Sequence, residues 1–109
     1  MVKHVLIPHT GFHISFEHAK EIDWKHARAL INCELIEISQ ARWDGKDYEM
    51  LVDEEYEYRQ DGIKVNEKAT SAYRQYWTNQ EAKNPGTIDM NRVNNMTIKG
   101  NVLLIKKNI

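Results

Sequence analysis

The sequence lacks most of the devices that hold a chain together, or to a surface, by means other than packing. Cys33 is the single cysteine among 109 residues, so no internal disulfide can form and no zinc knuckle can be built from thiolates. No apolar run approaches the ~18 residues of a membrane span. Met1 leads straight into a strand-like segment without a signal-peptide pattern. A reducing cytoplasm and no membrane partner are therefore expected. Charge of one sign is lacking too: fifteen Lys and Arg face sixteen Asp and Glu, a formal net charge of -1. Dedicated nucleic-acid binders carry a basic excess, so no DNA partner is expected. Neither a Gly-rich phosphate loop nor the nucleophile elbow of serine hydrolases occurs.

What is present fits one domain over residues 1–109, whose size buries roughly two-thirds of the unfolded surface. The segment 2–7 is apolar and β-branched, and it stops at Pro8-His9-Thr10-Gly11, a turn. Phe12, Ile14 and Phe16 alternate with His13, Ser15 and Glu17, the period of a half-buried strand. The two runs predict a β-hairpin. Asp23 suits the N-cap of a helix over 24–32, where Trp24, Ala27, Leu30 and Ile31 make one apolar stripe. Ile36 and Ile38 open a strand reaching Trp43. Asp44-Gly45 then signals a type I′ hairpin, because both central residues need positive φ. Tyr48, Met50 and Val52 continue the returning strand, which Tyr56 and Tyr58 extend and Asp61-Gly62 ends. Asn66 caps a second helix carrying Ala69, Ala72, Tyr73 and Tyr76, with Trp77 adjoining.

From 78 to 95 the chain is polar and Asn-rich and contains Pro85-Gly86, which predicts a long loop, mobile or ordered by a ligand. Val102, Leu103, Leu104 and Ile105 form a continuous apolar run, as in a central strand covered on both faces. The order β-β-α-β-β-α-β predicts an α+β domain, one mixed sheet with two helices packed against it.

Candidates for chemistry are few. His9 and His13 flank the first turn, and His18 or Glu17 would have to complete a metal site. No zinc spacing is present, and surface strand and turn positions account for these histidines. Asp53, Glu54 and Glu55 are better read as charges at a strand end, since neighbours on a strand point to opposite faces. Cys33, just past a helix, reads as a small buried residue rather than a nucleophile. Neither an enzyme nor a cofactor is expected.

The second helix is richer. Asn66, Lys68, Thr70, Tyr73, Arg74 and Trp77 combine aromatic planes with cationic and amide donors, and this chemistry suits a nucleotide. An Asn-led helix start with Lys68 and Thr70 in its first turn is a seat for phosphate. His9 and Thr10, at the first turn, are secondary candidates. The competing reading makes Tyr73 and Tyr76 part of a core stripe, and Arg42 with Trp43 presents the same two readings. Trp24, Trp43, Trp77, Tyr56 and Tyr58 predict exposed apolar area that a homo-oligomer would cover.

Three stretches carry a resemblance. They are Met50-Leu51-Val52-Asp53-Glu54-Glu55, Val65-Asn66-Glu67-Lys68-Ala69-Thr70 with Tyr73-Arg74, and Ile98-Lys99-Gly100-Asn101-Val102-Leu103-Leu104-Ile105. Together they resemble a small domain family of unknown function found in tailed phages and mobile elements. Its members look like a hairpin, a helix, a strand pair, an Asn-led helix and a final strand entered through a glycine. This chain departs at Tyr56-Glu57-Tyr58-Arg59, where members turn through a glycine, and in its Asn-rich insert. The resemblance implies a phage-encoded accessory protein in the host bacterial cytoplasm. Such a protein acts either by sequestering a nucleotide immune signal (a cyclic oligonucleotide or an ADP-ribose derivative) or by binding a host defence protein, as anti-CRISPR proteins do. The aromatic and cationic second helix favours sequestration, in a pocket that subunits of a homo-oligomer would share.

Overall fold

The computed structural model describes residues 1–55 and 63–107. Tyr56, Tyr58 and the Asp61-Gly62 pair lie outside the described residues. β1 (Val2–Ile7) and β2 (Ile14–His18) form the expected antiparallel hairpin. α1 (Trp24–Ile31) begins where the Asp23 carboxylate accepts the His26 N–H, and ends at Asn32, left-handed at φ 56°. β3 (Ile36–Trp43) and β4 (Lys46–Asp53) are joined by Asp44 and Gly45 at φ 51° and 72°. Those two positive values are what a type I′ turn requires. α2 (Glu67–Lys83), α3 (Met90–Asn95) and β5 (Val102–Lys106) follow.

The five strands make one sheet in the order β2-β1-β5-β4-β3. The last strand is central, inserted between the two hairpins, and the α+β class read from the sequence holds. Every pairing is antiparallel, because β5 runs opposite to both β1 and β4. Alternation along β5 sends Leu103 and Ile105 to one face and Val102 and Leu104 to the other. The first pair packs with Ala27, Ile31 and Leu51 under α1. The second pair packs with Val5, Ile7, Ala41, Tyr48 and Met50 against Ala69 and Ala72 of α2. The unbroken apolar run is thus explained by three layers, each side chain contributing roughly 1.5–3 kcal/mol by leaving water.

The loop expected over 78–95 is a correction. α2 runs on to Lys83, and α3 occupies Met90–Asn95 with Asp89 accepting the Arg92 N–H as its cap. The extra turn of α2 has Ala82 as its one apolar residue, so hydrophobic periodicity is silent there. Gln80, Glu81, Ala82 and Lys83 are nonetheless strong helix formers. What remains non-helical is 84–89, around Gly86 at φ 86°. Even here the Glu81 carboxylate accepts the N–H groups of Gly86 and Ile88.

The links before α2 and before β5 are stitched together. Val65 bridges Lys99, and Asn66 N–H donates to the Ile98 carbonyl at 2.8 Å. Gly100 N–H donates to Lys64 at 2.8 Å with φ at 81°. Among the described residues no helix is long and apolar enough to cross a membrane.

Candidate functional site

The start of α2 is built from both stitched links and from the end of β1. Asn66 is 1% exposed. Its Oδ1 accepts the Ala69 N–H at 3.0 Å, and its Nδ2 donates to the carbonyls of Ile7 and Gly100, each at 2.9 Å. Thr70, one turn on, accepts the Ile98 N–H at 2.9 Å through Oγ1. The structure therefore turns the polar atoms of Asn66 and Thr70 into the scaffold. Tyr73 is half-buried against the core under α2. Trp77 meets Tyr76 edge-on at 4.9 Å and Tyr73 at 6.4 Å, and its indole Nε1 is buried without a hydrogen-bond partner.

The other candidates face outward. Lys68 is exposed and its Nζ donates to the Gly11 carbonyl at 3.1 Å, which ties the first turn of α2 to the β1–β2 loop. In that loop His9 binds Asn101 Oδ1 through its backbone N–H at 3.0 Å. His9 and Thr10 line a small hollow of about 320 Å³ with Asn66, Glu67 and Lys68. Arg74 donates from Nη2 to the Met96 carbonyl at 3.0 Å, while its Nε is buried without a partner. Among the described residues no carboxylate forms an ion pair with it.

Two adjoining depressions run along the outer side of α2. One, of about 820 Å³, is lined by Arg42, Ser71, Arg74, Gln75, Thr78 and Asn79 among others. The second, of about 630 Å³, adds His13, Trp43, Asp44 and Lys68, and shares Arg42, Glu67, Ser71 and Gln75 with the first. Together they form one groove. At its end by the β3–β4 turn the His13 ring stands edge-on to Trp43 at 5.2 Å. Those two residues come from a loop and a strand end on opposite edges of the sheet, and they meet over the first turns of α2.

The groove's charges are mixed. Arg42, Arg74 and Lys68 stand against Glu67 and Asp44, and Arg42 Nη1 is bound by Asp47 at 2.7 Å. Of the groove's two guanidiniums, Arg74 is the one without a carboxylate partner among the described residues. The structure thus brings Lys68 and Arg74 to one groove and leaves Tyr73 and Trp77 among the helix's own aromatics. His13, Arg42, Trp43 and Gln75 join the groove although the spacing along the chain does not single them out as partners. The contact of the first loop with the end of β3 brings His13 to Trp43, and the packing of α2 on the sheet sets Gln75 beside Arg42. Among the described residues no three His, Cys, Asp or Glu side chains converge to hold a metal ion. No protein-family model, no curated protein and no solved structure matches the chain.

Proposed function

We propose that this protein captures a small anionic nucleotide along α2 without converting it, as a phage-encoded accessory protein that removes a host immune signal. The signal class is a cyclic oligonucleotide or an ADP-ribose derivative, met in the host bacterial cytoplasm. The observation that carries this reading is the α2 groove. Its volume is that of a small-molecule site. One half holds Arg74, which has no carboxylate partner among the described residues, with Asn79; the adjoining half holds Lys68 and the indole of Trp43, and Gln75 lines both. Arg74 and Lys68 take phosphate, Trp43 stacks on a base, and the amides and hydroxyls read polar edges. The groove is open along one side, so a homo-oligomer that brings a second copy over it would enclose the ligand.

The test is incubation of the protein with a panel of bacterial signal nucleotides, removal of free ligand, and heating to release what was held. Intact nucleotide recovered from the wild type is the expected result. Arg74→Ala should cut retention by about one to two decades, since a charge-assisted bond is worth roughly 1.5–3 kcal/mol. The same change also removes the bond to the Met96 carbonyl, so Arg74→Lys, which keeps the charge, separates affinity from stability. If the wild type retains no nucleotide, the reading fails. A protein-directed inhibitor then takes its place, favoured by the exposed Phe12 and Ile14 of the first hairpin, Leu35 before β3 and Ile38 within it.

A further inference from the structure

His4 is fully buried, whereas the other four histidines are exposed. Its Nε2 accepts the Ile22 N–H at 3.1 Å, and that role places the ring's proton on Nδ1. Nδ1 is itself buried without a hydrogen-bond partner. The ring lies flat on Phe16, with centroids 4.7 Å apart and planes within 3°. His18 stands edge-on at 6.0 Å.

Both contacts belong to the weakest part of the sheet. β2 is an edge strand paired with β1 alone, and only Phe16 of its five residues is partly covered. The arm from β2 to the N-cap of α1 is held by one ladder, by the Phe16 stack, by the Ile22 N–H on His4, by the packing of Ile22 under α1 and by the half-exposed Glu21–Lys107 ion pair. A proton added to His4 goes to Nε2, which then points a donor at a donor. It also leaves a cation in a dry site with Nδ1 still unpaired.

The charged groups facing the ring give little relief. His18 on β2 opposes the added charge. Glu21 in the link favours it but is already engaged by Lys107 beyond β5, at 3.0 Å. β5 presents Ile105 opposite His4, and α1 buries Ala27 and Ile31 on this face. Burial first, and the His18 charge second, hold the His4 pKa below its ordinary 6.5, outweighing the backbone of Val2 and Phe16 and the Glu21 carboxylate, which favour the charged ring. The neutral ring is thus the bound form. Its contribution is complete above pH 6.5 and is lost as pH falls through the lowered value.

We propose that His4 is a pH-operated latch whose protonation releases the arm formed by β2 and residues 19–22, while β1, β5, β4 and β3 stay paired. Opening the arm hydrates the imidazolium at the cost of one short edge ladder and the arm's few other contacts, far less than unfolding the sheet. The arm begins beside His13, so its release loosens that ring from Trp43, while the rest of the loop stays tied at His9 to Asn101 and at Gly11 to Lys68.

Amide exchange on the full chain at pH 7.5 and pH 5.0, each corrected for intrinsic rates, tests this. The expected result is a tenfold or greater loss of protection at Ile22 and along β2 at pH 5.0, with β4 and β5 unchanged. In His4→Phe, which keeps the stack but neither accepts nor titrates, the pH dependence of β2 should vanish. In His18→Ala it should persist. Should His4→Phe not fold, the His4 ring shifts in the wild type must titrate below 6.5 together with the loss of β2 protection. Equal loss in every strand at pH 5.0, a His4 titration at 6.5 with β2 still protected, or an effect abolished by His18→Ala would each overturn the latch.

Discussion

One side chain, Asn66, joins three parts of the chain. It caps α2, and its amide holds the carbonyl of Ile7 at the end of β1 and that of Gly100 at the entry to β5. Asn66→Ala leaves two buried acceptors unsatisfied and removes a cap, and should cost about 3 kcal/mol. Asn66→Asp separates the roles. Aspartate caps a helix as well as asparagine does, but here its second oxygen would face two carbonyl oxygens. The Asp variant should therefore be at least as unstable as the Ala variant in urea unfolding. An Asp variant as stable as the wild type would show that the cap alone matters. The capping role was legible in the sequence from an Asn placed before a helical stripe. The two amide bonds were not, because their partners lie 59 and 34 residues away. The same limit applies to the groove. Arg74 and Lys68 are readable as donors from residue type, whereas the meeting of His13 with Trp43 depends on how the sheet brings a loop to the far strand's end.

At the scale of elements, strands and turns were the readable part. Apolar alternation located β3 and β4, and Asp44-Gly45 fixed their turn, since few residue pairs accept two positive φ values. α2 outruns its sequence signal for an equally physical reason. Its last turn packs little and has no apolar stripe, so only propensity and local bonds declare it. Glu81 supplies such bonds, its carboxylate accepting from Gly86 and Ile88 and folding 84–89 back onto the helix end. Amides of 80–83 should accordingly exchange slowly in the free protein, with fast exchange confined to 84–89. Glu81→Ala should speed exchange at Gly86 and Ile88 by about tenfold, for the loss of roughly 1.5 kcal/mol of charge-assisted bonding. Fast exchange throughout 78–95 in the wild type would mean that the helix end forms only transiently.

The whole molecule is two apolar layers on one shared strand, and that arrangement makes a quantitative expectation. Leu104 is sealed on the α2 face, and Leu103 and Ile105 on the α1 face, each 1% exposed or less. Leu104→Ala should cost about 2–5 kcal/mol and Ile105→Val about 0.5–1.5 kcal/mol. These are large fractions of the 5–15 kcal/mol typical of a domain. Although the two residues are neighbours in sequence, their side chains enter clusters with no common member. The double variant should then lose the sum of the single losses to within about 0.5 kcal/mol. Leu103→Ala with Ile105→Val makes the contrasting pair, because both side chains sit in the cluster under α1. A cavity at one lets the other relax into it, so this same-face pair should depart from additivity by more than about 0.5 kcal/mol. Urea unfolding of the wild type and the five variants (Leu104→Ala, Ile105→Val, Leu103→Ala and the two doubles) decides the matter. Cross-face coupling as strong as same-face coupling would mean that the sheet transmits strain between its layers, and that β5 anchors one cooperative core rather than two.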